Sequence, residues 1–120
     1  MKLILGGAYQ GKTDFVRANF GVPAARCTAE EALKAAAVNC FHLLVRDLMA
    51  AGRDPQQFTE KLIRENPGAI IICDEVGMGI VPMDKTAANL REAVGRCLCL
   101  IARESDHVSR IVAGMEMRIK

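Results

Sequence analysis

The stretch "KLILGGAYQGKTDFVRANFG", residues 2–21, decides how the rest of this chain is read. "KLILG" is a short apolar run that stops at glycines, the pattern of a buried strand. Thr13 to Phe20 reads as a helix that closes at Gly21. Between them Gly6, four further residues, Gly11, Lys12 and Thr13 spell G-x-x-x-x-G-K-T, the phosphate-binding loop. The spelling has a physical reason. Glycines let the backbone wrap so that successive N–H groups point inward at an anion, and the following helix adds the positive end of its dipole. Lys12 then reaches the β- and γ-phosphates, and the Thr13 hydroxyl ligates Mg²⁺. With Gly7, Ala8, Tyr9 and Gln10 completing the loop, residues 6–13 are the expected site for ATP or GTP. On ordinary residue frequencies a chance match somewhere in such a chain is about 0.4%, and the strand-loop-helix context is the one the mechanism requires.

Working outward, 120 residues with 51% hydrophobic content are the material of one domain with one core. Sixteen basic and fourteen acidic residues leave a formal charge of +2 without a block of like charges, so neither a nucleic-acid arm nor a polybasic membrane anchor is expected. Apolar runs such as "AIIIC" (69–73) and "CLCLIA" (97–102) are too short to span a bilayer, and "MKLILGG" lacks the length and cleavage site of a signal peptide, which points to the cytoplasm. Five cysteines (Cys27, Cys40, Cys73, Cys97, Cys99) show no zinc-site spacing and read as reduced, mostly buried packing residues.

Beyond Gly21, Thr28 and Glu31 stand at capping-box spacing. Leu33, Ala37, Cys40/Phe41, Leu44/Val45 and Leu48 keep helical spacing as far as Gly52, so the periodicity predicts a helix over 29–51, with a break near Val38 as the variant reading. Asp54 and Pro55 open another helix, with Phe58 and Leu62 inward, and "NPG" ends it after Glu65. "AIIICDE" is a continuous apolar run ending in two acids, the pattern of a strand covered on both faces. Asp84 caps a long helix to about Glu104, with Leu90, Val94, Cys97/Leu98 and Ile101 inward. His107 to Ala113 is strand-like, and "MEMRIK" alternates apolar and charged residues as an edge strand with one wet face does. Strands alternating with helices predict an α/β fold, a single-domain three-layer sandwich of the P-loop NTPase kind with a mostly parallel sheet.

Phosphoryl transfer needs more than a phosphate loop. It needs an acid at the end of a neighbouring apolar strand, and "IIICDE" supplies Asp74 for the metal's shell and Glu75 to orient an attacking group. Lys12, Asp74 and Glu75 are therefore the expected catalytic residues, with Thr13 and Asp74 at the metal.

Several separated pieces are familiar together. "GGAYQGKT" at 6–13, "DEVGMGIVP" at 74–82, "GR" at 95–96 and the terminal "AGMEMRIK" resemble the adenosylcobinamide kinase / adenosylcobinamide-phosphate guanylyltransferase family of cobalamin biosynthesis. The resemblance implies phosphorylation of an adenosylcobinamide hydroxyl, a small-molecule acceptor of that kind as partner, and a homo-oligomer, since family members are often trimeric. By the same likeness Val76, Gly77, Met78, Gly79, Ile80, Val81 and Pro82 form a loop beside the acceptor. Two departures stand out. No counterpart of the family's guanylyl-accepting histidine segment lies between "FGVPAARC" and "TAEEALKAA". A strand ending in an "LVDCLTLW"-like motif finds its nearest match in "AVNCFHLLV" at 37–45, where Asn39 replaces the aspartate. That strand conflicts with the helix predicted for 29–51, and the long periodicity favours the helix. Asn39 and His42, one helical turn apart, are lesser site candidates. His107 is assigned no role, and Met78, Met83, Met115 and Met117 read as packing residues rather than a surface for a corrin ring.

Overall fold

The computed structural model describes residues 1–75 and 84–120. Its centre is β1 (Lys2–Gly6), followed by α1 (Lys12–Phe20), β2 (Ala25–Arg26), α2 (Ala29–Ala32), β3 (Ala37–Asn39), α3 (Phe41–Ala50) and α4 (Pro55–Glu65). Then come β4 (Ile70–Asp74), α5 (Lys85–Glu104), β5 (His107–Val112) and β6 (Met115–Arg118). The strands form one sheet in the order β2-β3-β4-β1-β5-β6, parallel except for the β5–β6 hairpin.

Alternation along the strands divides the core between the two faces. Leu3, Val38, Ile71, Cys73 and Val108 pack with Phe41, Leu44, Leu48, Phe58, Leu62, Val94, Cys97 and Ile101 of α3, α4 and α5. Ile4, Ala37, Ile70, Ile72 and Ile111 pack with Val16, Phe15 and Phe20 of α1. Helices thus cover both faces, the expected three layers, and the unbroken apolar run of β4 is explained by burial on both sides.

The helix ends follow their local chemistry. Asp54 accepts the Gln56 N–H at 2.9 Å ahead of Pro55, and Asp84 accepts the Ala87 N–H at 2.7 Å. Gly21 closes α1 in the left-handed region at φ 69°, which glycine adopts without a Cβ penalty.

One long helix over 29–51 does not form. The capping box is complete, with Glu31 N–H on Thr28 Oγ1 at 3.2 Å and Thr28 N–H on Glu31 Oε1 at 2.9 Å, yet the helix it starts lasts only to Ala32. The Asn66 side-chain amide donates to the carbonyls of Ala32 and Ala35, each at 2.9 Å, and so satisfies the chain where the helix stops. Ala37 and Val38 then pair with Ile70 and Ile71, and both are buried. Cys40, left-handed at φ 55°, turns the chain into α3. The apolar spacing that reads as one helix belongs to two helices and a buried strand whose partner lies more than thirty residues on.

The outer strand also differs from its expected form. All of β6 is exposed, Met115 at 66% and Met117 at 54%, so neither methionine is a packing residue and neither face is covered. Of the free cysteines only Cys73 and Cys97 are buried; Cys99 is exposed and Cys27 and Cys40 are intermediate. Among the described residues no helix is long and apolar enough to cross a membrane.

Candidate functional site

The C-terminal ends of β1 and β4 lie side by side, with Gly6 opposite Asp74 in register. The Glu75 N–H extends the ladder by donating to Gly6 O at 3.0 Å. From here the chain leaves β1 for α1 on one face, and α5, the next described element after β4, packs on the other. Such a divergence opens a crevice beyond the strand ends, where open parallel sheets bind ligands.

Residues 6–11 loop over that crevice and hand Lys12 to the first turn of α1. Gly6 has to be glycine, because a Cβ there would stand 2.6 Å from the Ile111 carbonyl oxygen. Gly11 caps the helix at φ 88°, and Tyr9 at the loop's tip is left-handed at φ 60° with its ring fully exposed. Thr13 is the second residue of α1.

Lys12 and Asp74, sixty-two positions apart, meet here. Lys12 Nζ stands 2.7 Å from Asp74 Oδ1 and donates to the Gly7 carbonyl at 2.6 Å. The lysine side chain is 8% exposed and the carboxylate 32%, so a buried ammonium is neutralised by an acid that keeps one side open. His42 joins the pair from the start of α3. Its Nδ1 accepts the Asp74 backbone N–H at 3.3 Å, which leaves the ring proton on Nε2, 3.6 Å from Asp74 Oδ2. Burial holds the imidazole below its ordinary pKa against the pull of Asp74, with Lys12 adding to the depression, so His42 is neutral near pH 7. The ring is thus tied to the end of β4 through the Asp74 backbone N–H, and at 3.6 Å its Nε2 faces the carboxylate without hydrogen-bonding to it.

Glu75 faces a different partner. Its Oε1 lies 2.9 Å from Nε of Arg110 on β5. A cavity of about 350 Å³ opens beside them, lined by Gly7, Gln10, Glu75, Arg110, Ile111 and Val112. A wider hollow of about 730 Å³ runs along α4 past Arg53, Asp54, Lys61 and Arg64 and shares no residue with the loop 6–13. Behind the site, burial pushes the Cys73 thiol up to about 12, so that thiol is an inert packing group.

Of the residues expected from the sequence, the loop 6–13, Lys12, Asp74 and Glu75 converge, and His42 converges with them. Asn39 ends β3, where its Oδ1 accepts the Cys40 N–H at 2.9 Å as a local turn contact. Val76 to Pro82 lie outside the described residues. Arg110 and the Gln10 side chain escape sequence reading. Arg110 looks like any polar position of a strand until β5 is placed beside β1, and Gln10 occupies an unspecified position of the loop motif.

The family model for cobinamide kinase / cobinamide phosphate guanyltransferase matches residues 22–119. The chain belongs to this family. The match takes in Asn39, His42, Asp74, Glu75 and Arg110, while residues 6–13 precede it and rest on their own spelling and geometry. A stretch of 51 residues is 37% identical to the bifunctional adenosylcobalamin biosynthesis protein CobU of Salmonella typhimurium. That stretch is 42% of this chain and 28% of that protein.

Proposed function

We propose that this chain binds ATP or GTP with Mg²⁺ at residues 6–13 and transfers the γ-phosphoryl group to a hydroxyl of adenosylcobinamide or a related small acceptor. The observation that carries the reading is the Lys12–Asp74 pair, 2.7 Å apart, which joins the start of α1 to the end of β4 beside the glycine loop. In this reading the loop N–H groups and Lys12 neutralise the phosphates. Thr13 and Asp74 suit Mg²⁺, which takes one or two protein oxygens and keeps waters and phosphate oxygens for the rest of its shell. Bound there, the ion would add charge neutralisation of the phosphates. His42 accepts the Asp74 backbone N–H, and so braces the strand end that carries the carboxylate, with its Nε2 facing the second oxygen. Glu75 accepts the acceptor's hydroxyl proton, and Arg110 sets its carboxylate at the wall of the 350 Å³ cavity. A homo-oligomer completes the proposal.

One observation favours a second reading, a nucleotide-binding regulator or small NTPase of the same descent: no counterpart of the family's guanylyl-accepting histidine segment precedes "TAEEALKAA". An assay with labelled ATP or GTP and Mg²⁺, with and without adenosylcobinamide, separates the two. Wild-type protein is expected to make cobinamide phosphate, and Lys12→Ala to lose about 100-fold or more of that rate, the scale of removing one transition-state donor. Tight nucleotide binding without a phosphorylated acceptor would sink the kinase and favour the regulator; phosphate release indifferent to cobinamide would favour the NTPase.

A further inference from the structure

The turn between β5 and β6 reaches back to the phosphate loop from a hundred residues away. Ala113 and Gly114 are its two central residues, both at positive φ (49° and 77°), as the two-residue hairpin turns that match strand twist require. Their N–H groups both point at one residue. Ala113 N–H donates to Gln10 Oε1 at 2.7 Å, and Gly114 N–H donates to the Gln10 carbonyl at 2.9 Å. The backbones also touch: a Cβ on Gly11 would lie 3.4 Å from Gly114 Cα, and one on Gly6 would strike the Ile111 carbonyl. The first glycine, the last glycine and the residue before it are all braced by the C-terminal hairpin.

We infer that Gln10 and the Ala113–Gly114 turn are positioning elements for the phosphate loop, so that nucleotide binding and the order of the C-terminal hairpin are coupled. This rests on the nucleotide-binding role proposed for residues 6–13. A glycine-framed loop loses much backbone freedom when its N–H groups must converge on an anion, and a loop already held in place avoids part of that cost on binding. The hairpin does not depend on Gln10 for its own attachment. Glu116 accepts from Ser109 Oγ at 2.5 Å and lies 2.8 Å from His107 Nε2, and Lys120 Nζ donates to the carbonyls of Ala102 and Arg103 at 3.1 Å. Losing the Gln10 contact therefore falls on the loop. Because coupling between two sites is reciprocal, nucleotide must tighten the turn as much as the turn tightens nucleotide.

The test uses the full chain and a non-hydrolysable MgATP or MgGTP analogue, with Gln10→Met, which keeps side-chain length and removes the acceptor, and Gly114→Ala, which strains the turn at φ 77°. Nucleotide affinity, the unfolding midpoint of the ligand-free chain, and amide exchange at Ala113 and Gly114 are read together. Gln10→Met is expected to weaken nucleotide binding about three- to tenfold, the range of one hydrogen bond, with its unfolding midpoint close to wild type. Gly114→Ala is expected to move affinity the same way. In wild type the nucleotide analogue slows exchange at both turn amides, and in Gln10→Met it slows them less. Wild-type binding that neither substitution alters, with turn amides indifferent to nucleotide, overturns the coupling alone. No binding by wild type would overturn the nucleotide reading itself and the coupling with it.

Discussion

The seam between β1 and β4 and the outer arm of the hairpin, β6 with its turn, flank the site and are held by different forces. Along the seam Leu3, Ile4, Ile71, Ile72 and Cys73 are at most 1% exposed, with helices on both sides. In the hairpin every residue of β6 is exposed, and the strand is kept in place by its ladder to β5, by the Glu116 contacts and by the tail, where Ile119 N–H donates to Val108 O at 2.8 Å. Apolar burial has little direction and much energy, so the seam decides whether a site exists. Hydrogen bonds have direction and modest net energy, so the hairpin decides how the loop is held.

The largest effect should come from the seam. Ile71→Ala removes a fully buried side chain between β1 and β3 and is expected to cost about 2–5 kcal/mol in urea unfolding. A cost below about 1 kcal/mol would mean that the seam relaxes freely around the lost side chain, and the contrast would fail. Glu116→Gln comes next, at about 0.5–1.5 kcal/mol near neutral pH. The Ser109 hydroxyl, and after it His107, holds the Glu116 carboxyl below its usual 4.5. The unfolded chain therefore binds the proton more readily, and this contribution is fully present above about pH 4.5 and fades as pH falls through the lower folded value. Wild type and Glu116→Gln should converge in strong acid; parallel stability curves would show that the carboxylate is not part of the latch. Met117→Thr should be smallest, within about 0.5 kcal/mol for the isolated chain. A larger loss that grows with protein concentration would show that the exposed strand is covered by another copy.

Much of this was legible in the residues. The loop motif located β1, α1 and Lys12, the run "AIIICDE" located β4 with its two acids, and the Asp54–Pro55 and Asp84 caps located α4 and α5. These signals are local, and local hydrogen bonds settle them. The stretch 29–51 reads as one helix, with a break near Val38 as the variant, because its alanines are strong helix formers, while the deciding contacts, Asn66 on Ala32 and Ala35 and the β3–β4 ladder, come from residues far along the chain. The same reading hid the reason for His42. Read as a position within a long helix it had no partner; at the first turn of a helix that follows β3 it stands over the end of β4. Arg110 carries no local signal, since strand order alone brings it to the loop, and the spelling that places Gln10 in the loop says nothing of the contact its side chain makes with Ala113.

The placement of β1 has a consequence for how the molecule is made. The first strand of the chain sits in the middle of the sheet, and both its neighbours come late: β4 begins at Ile70 and β5 at His107. Closing contacts so distant in sequence is slow, because the entropy of a long loop is lost before the pairing is gained. During synthesis the apolar segment Lys2–Gly6 waits without its sheet neighbours while some sixty residues follow it, and the loop after it gains its brace at Ala113 and Gly114 only some hundred residues on. The glycine loop, spelled within eight consecutive residues, thus takes its final shape only after segments sixty and a hundred residues further along have been made.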